Sequence, residues 1–167
     1  MMSQSFPDLW RRESQGRAQA ARQPEQAIKR TRRQTATALA AVPLFANFSK
    51  KHLQRLAADT DELTFEPGEA VVREAELGET LFVVLEGEGK VVRGSRKVGS
   101  VLPGDFFGEL AAIDAQPRSA SVVAVTPLRV LRLFRRHLLT LLVNEPQITL
   151  KLLDGIVRRI RQVERSA

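Results

Sequence analysis

Glu109 and Arg118 stand nine positions apart in the run Phe107-Gly108-Glu109-Leu110-Ala111-Ala112-Ile113-Asp114-Ala115-Gln116-Pro117-Arg118-Ser119-Ala120-Ser121. An ionised carboxylate only accepts hydrogen bonds, and a guanidinium offers a planar fork of donors. Together they suit a sugar phosphate: the fork takes phosphate oxygens two at a time, and the carboxylate takes hydrogen bonds from a hydroxyl beside that phosphate. A short helix opening after Gly108 would aim free backbone N–H groups at the same anion. Gly108, Leu110 and Ala111 would let the backbone approach closely, since a larger side chain at 108 would block the anion. Ser119 can add a hydroxyl and an N–H.

From Phe107 to Val122 the chain follows roughly the order F-G-E-L-A-L, four variable residues, then P-R-[AST]-A-[ST]-V, with Ala112 at the second leucine. It closely resembles the phosphate-binding cassette of cyclic-nucleotide-binding domains, the family of the bacterial catabolite activator protein and the regulatory subunits of protein kinase A. The resemblance implies a ligand, cAMP ahead of cGMP, with no further cofactor. It implies Arg118 on the phosphate, Glu109 on the ribose 2′-hydroxyl, and Phe107, Gly108, Leu110, Ala111, Pro117, Ser119 and Ala120 around them. Two departures stand out. Ala115 occupies a place where the cassette often has glycine, at a cost of about 1 kcal/mol if φ is positive there. Val163 falls where the catabolite activator protein has a threonine contacting adenine, so Arg159 and Val163 are candidates to cap the base without Val163 hydrogen-bonding it.

Such a cassette needs a frame. Between Leu63 and Leu133 the apolar period is two, and Pro67-Gly68, Gly87, Gly94 and Pro103-Gly104 punctuate short β-branched runs. This argues an antiparallel roll or barrel. The fold expected is α+β, with a jelly-roll-type β-roll at 62–134 holding the cassette at 107–121. The family's fold, an eight-stranded roll, is of this kind.

Ahead of the roll, Val42, Leu44, Phe45, Phe48, Leu53, Leu56 and Ala57 recur at three- and four-residue steps, which predicts a helical lead-in over 37–58. Ser49 is the expected N-cap of the segment Lys50 to Ala58, with Pro43 as a boundary before it. Behind the roll come two helices within 135–165, the second opened by Pro146. Its apolar stripe, Ile148, Leu152, Leu153, Ile156, Ile160 and Val163, needs a cover, either the roll or a second copy of the chain.

The charge is uneven. Residues 1–40 carry eight Lys or Arg against three Asp or Glu, and residues 41–167 carry eighteen against sixteen. Residues 1–36 read as an exposed basic arm, too poor in large apolar residues to offset its ordering entropy. Its cations between 11 and 33 could meet nucleic acid, although the aromatic interleaving used for base stacking is missing, so a solvated tail is the preferred reading. The absence of cysteine excludes disulfides and thiolate metal sites. No apolar run approaches the ~20 residues of a membrane span, and the N-terminus has no signal-peptide core, so a cytoplasmic location is expected.

His52 and His137 are single histidines without metal-ligand spacing, and Asp61, Glu62, Glu74 and Glu76 have no partnered nucleophile or base. No enzyme activity is expected. The family's DNA-reading helix-turn-helix usually follows the last helix, and this chain stops about there, so a stand-alone receptor signalling to a protein effector is the leading expectation. The rival is a ligand-independent interaction protein on the same fold, tethered to nucleic acid or the ribosome by its basic arm.

Overall fold

The computed structural model describes residues 31–166, apart from the side chains of Val163 and Ser166. Helix α1 (Arg32–Ala40) leads into a 3₁₀ turn (Pro43–Phe45) and helix α2 (Lys50–Ala58). Eight strands follow: β1 (Thr60–Phe65), β2 (Ala70–Val72), β3 (Thr80–Glu86), β4 (Gly89–Arg93), β5 (Arg96–Val101), β6 (Phe106–Phe107), β7 (Ser121–Ala124) and β8 (Leu128–Phe134). Helix α3 (Glu109–Asp114) interrupts them between β6 and β7, and α4 (Arg135–Asn144) and α5 (Pro146–Ser166) close the chain. The α+β architecture and the antiparallel roll are as expected.

The strands form two four-stranded antiparallel sheets, ordered β1-β8-β3-β6 and β2-β7-β4-β5. Strands β3 and β8 are paired at the centre of the first sheet, and both their faces are covered. Phe82, Val84, Leu128 and Val130 point into the roll, where they meet Leu63, Phe65, Phe107 and Val122. Leu81, Val83, Leu131 and Leu133 point outward to Leu39, Phe45, Leu53, Leu138, Ile148 and Leu152 of the helices. This is why Leu81 to Leu85 reads as an unbroken apolar run rather than an alternating one. Strand β6, only two residues long, is set by its pairing with Phe82 and Val83 and had no signal of its own in the sequence.

The lead-in begins earlier than its apolar period indicates. Thr31 and Gln34 form a reciprocal capping box, and Thr35 and Ala36 are buried, so α1 opens inside the segment assigned to the arm up to residue 36. The rest of that segment, through Arg30, lies outside the described residues. Ser49 caps α2 as expected, its side chain accepting from the His52 N–H at 3.2 Å.

Helix α5 presents two faces instead of the single stripe expected. Ile148 and Leu152 are buried against the body, and Gly155 follows on the same face, where an added Cβ would lie 2.5 Å from Phe106 Cζ. Leu150, Leu153, Val157 and Ile160 are exposed, at steps of three, four and three residues. The stripe divides because the helix has to serve the roll at its start and leaves an outer seam along its length.

Candidate functional site

Gly108 ends β6 and N-caps α3 at φ +81°, a conformation glycine adopts without penalty. It has a second constraint: a Cβ there would lie 2.6 Å from Arg118 Nη1 and 2.7 Å from the Thr80 carbonyl oxygen. Gly78 is in the same position from the other side, with Arg118 Nη2 2.6 Å from where its Cβ would be. The two glycines make the slot in which the arginine lies.

Arg118 is not the surface charge that its residue type alone would imply. It is 8% exposed and lies under the cassette, donating from Nη1 to the Thr80 carbonyl at 2.8 Å and to the Gly108 carbonyl at 3.1 Å. Nη2 donates to Thr80 Oγ1 at 2.8 Å, and the guanidinium carbon stands 5.9 Å from the centre of the Phe82 ring. Phe82 in turn stacks on Phe107 at 5.2 Å. The backbone of Arg118 is also tied, its N–H donating to the Glu76 carbonyl and its own carbonyl accepting from Ala75. Burial pushes the guanidinium below the ordinary arginine value, and the negative charge of Glu109 works against that shift. A second anion would favour the charged form in the same way.

Glu109 is 2% exposed, the first residue of α3, and its Oε1 accepts from Arg159 Nη1 of α5. Arg159 also donates from Nη2 to the Phe106 carbonyl, and its guanidinium carbon lies 5.2 Å from the Phe106 ring centre. The residue assigned to base capping is therefore engaged with the cassette carboxylate. Val163, its companion in that assignment, lies outside the described residues as far as its side chain is concerned. Ala111 is buried, Leu110 is half exposed, and Pro117 and Ser119 are exposed beside the half-buried Ala120. The Ser119 carbonyl accepts from Arg93 Nε at 3.2 Å.

Ala115 does take the left-handed conformation, at φ 57°, as the C-cap of α3. The missing glycine is tolerated here because the Ala115 N–H reaches the Ala111 carbonyl and the Gln116 N–H reaches Asp114 Oδ1.

The structure thus brings Gly108, Glu109, Ala111 and Arg118 together and adds Thr80, Gly78, Phe82 and Phe106, which carried no role in the sequence. Nothing local to Thr80 shows that its carbonyl and hydroxyl face position 118. Glu62 is also buried, with Arg129 Nε 3.2 Å from its Oε1, an ion pair across the β1–β8 sheet rather than reacting chemistry. His52 and His137 lie 3.6 Å and 3.3 Å from Glu145 and Asp59 carboxylate oxygens, and His137 is half-buried. Among the described residues no cluster of His, Asp and Glu could hold a metal ion, and no helix is long and apolar enough to cross a membrane.

Comparison with known proteins points the same way. The family model described as cyclic nucleotide-binding domain matches residues 62–145, 84 of the 167. A cAMP-dependent protein kinase regulatory subunit of Hypocrea atroviridis is 30% identical over 72% of this chain and 24% of its own length. A CRP-like cAMP-activated global transcriptional regulator of Mycobacterium tuberculosis is 28% identical over 74% of this chain and 58% of its own. The solved structure of Thermus thermophilus catabolite activator protein is 28% identical, with a TM-score of 0.65, covering 74% of this chain and 61% of that one. The chain spans less than two thirds of each of these relatives.

Proposed function

Because the chain belongs to the cyclic nucleotide-binding domain family, we propose that it is a regulatory receptor for a cyclic nucleotide, cAMP ahead of cGMP, and not an enzyme. The observation that carries this reading is the buried arginine: Arg118 is held in a glycine-walled slot by Thr80 and Gly108. Such preorganisation lowers the entropy lost on binding. Three of the five guanidinium hydrogens are used by these contacts, and the others remain to meet phosphate oxygens with the N–H groups of the cassette. Glu109 takes the ribose 2′-hydroxyl. It has lone pairs to spare while holding Arg159, so α5 and the ligand can share the carboxylate. The N-terminal end of the cassette and the last helix then form one closed unit over the nucleotide.

Two further elements belong to this reading. The outer seam of α5, Leu150, Leu153, Val157 and Ile160, has the alternating three- and four-residue step of a coiled-coil seam, and it serves a homodimer. Open and closed arrangements of α5, bound with different affinity, signal to a protein effector by a shift in their populations. The arm has a lesser part: Arg32 and Arg33 are exposed on α1, and with the cations before them they would give a salt-dependent nucleic-acid contact.

Arg118→Ala is expected to abolish binding of cAMP and cGMP in calorimetry; wild-type affinity in that variant would remove the assignment. A ligand-independent interaction protein is the second reading. It is favoured by one observation, that Glu109 already has a protein partner in Arg159. Calorimetry on the wild-type chain separates the two.

A further inference from the structure

Arg135 opens α4 directly after β8, yet its side chain belongs to another element. Its Nε donates to the Ala112 carbonyl at 3.0 Å and its Nη2 to the Ile113 carbonyl at 3.2 Å. Both carbonyls lie in the last turn of α3, where the helix has no partners of its own to give them. That turn ends on Ala115 in a left-handed conformation without the glycine that would make it cheap. The guanidinium fork supplies what the segment lacks.

The backbone of Arg135 is joined to the other half of the site. Its N–H donates to the Glu79 carbonyl at 2.8 Å, and Glu79 is followed by Thr80, whose carbonyl and hydroxyl hold Arg118. One residue therefore connects the C-terminal end of the cassette helix, the anchor of the buried arginine and the start of the helix pair. An open cleft of about 360 Å³, lined by Glu79, Phe134, Arg135 and Arg136, adjoins it. Among the described residues no carboxylate pairs with Arg135, so its donors are directed at carbonyls.

We propose that Arg135 is a positioning residue of the ligand site, setting α3 against the Arg118 anchor and carrying movement of the cassette into α4 and α5. A ligand that draws the N–H groups of α3 toward itself shifts that short helix as a unit. Its terminal carbonyls then pull on Arg135 and hence on the first turn of α4. From α4 the path continues to α5, where Thr149 Oγ1 donates to the Leu142 carbonyl at 2.7 Å, and α5 returns to the cassette through Arg159 and Glu109. The circuit begins and ends at α3, so binding and helix position are linked reciprocally. This inference rests on residues 107–121 being the cyclic-nucleotide site, and the experiment separates the two claims.

The test is hydrogen exchange by mass spectrometry on the full chain, wild type, Arg135→Ala and Arg135→Lys, without nucleotide and with saturating cAMP or cGMP. Without nucleotide, both variants are expected to exchange about 10-fold faster at amides 112–118, the net loss of about one hydrogen bond since the freed carbonyls turn to water, while strands at 80–86 and 121–134 keep wild-type protection. With nucleotide, protection is expected to persist at 107–112 and to be lost over 136–160, with affinity lowered about 10-fold. Unchanged exchange at 112–118, a uniform rise that includes the strands, or undiminished protection over 136–160 would each overturn the proposal. Full restoration by lysine would overturn the two-pronged cap. If the wild type binds neither nucleotide, the functional reading fails, and exchange at 112–118 without nucleotide still decides the positioning role.

Discussion

At the scale of the residue, the site is a set of tolerances around one guanidinium. Gly108→Ala would place a methyl group 2.6 Å from Arg118 Nη1 and 2.7 Å from a backbone carbonyl that has no freedom to retreat, at φ +81°. Left-handed strain and overpacking together are expected to cost about 2–4 kcal/mol and to shift Arg118, measured as a fall in denaturation midpoint and lost nucleotide affinity. Ala115→Gly has the opposite sign. Relief of the left-handed alanine gains about 1–2 kcal/mol, and the entropy of an added glycine returns about 0.5–1. A net rise in stability of up to about 1.5 kcal/mol in urea melts is expected, and a fall would show that the turn at φ 57° carries no strain.

At the scale of the element, α5 is a helix whose contacts change along its length. Ile148 and Leu152 fasten its start to the body, and Lys151 Nζ reaches the Pro43 carbonyl at 2.7 Å. Farther along, Gly155 lets the helix approach Phe106, and Arg159 holds Glu109. Arg159→Gln should therefore free the second half without unfolding the roll. Its expected mark is faster exchange over 155–165 with unchanged protection in β3 and β8, and a stability loss of about 1–2 kcal/mol from leaving Glu109 short of a partner. Unaltered exchange in the helix would mean that packing on Phe106 alone holds it.

At the scale of the whole molecule, two cores meet at the central sheet, one inside the roll and one under the helices. A ligand bound only by the folded chain should stabilise both. At a concentration 100 times its dissociation constant, cAMP or cGMP is expected to add about 2.7 kcal/mol, read as a raised melting midpoint; a midpoint indifferent to both nucleotides would favour the ligand-independent reading. Assembly is the other property at this scale. Leu153→Asp, on the exposed seam, should dissociate the proposed dimer in sedimentation equilibrium while leaving the melt of the roll intact, and a monomeric wild type would withdraw the dimer.

The sequence by itself determined the cassette, the roll and the helices, because these depend on local order: turn residues between short strands, a capping serine at 49, a proline opening α5, and the spacing of Glu109 and Arg118. It also located the risk at Ala115, since a missing glycine is legible wherever a turn needs positive φ. Only the tertiary structure decided what surrounds those residues. Thr80 lies 38 positions from Arg118, Arg159 50 from Glu109, and Arg135 22 from Ile113, and no periodicity links such pairs. The first and third pairs meet because β3 and β8 lie side by side and bring their ends to one edge of the roll, and the second because α5 settles on Phe106. For the same reason the apolar stripe of α5 could be read from the sequence but not divided into its two faces: which side meets the body depends on the angle at which Gly155 allows the helix to settle on Phe106.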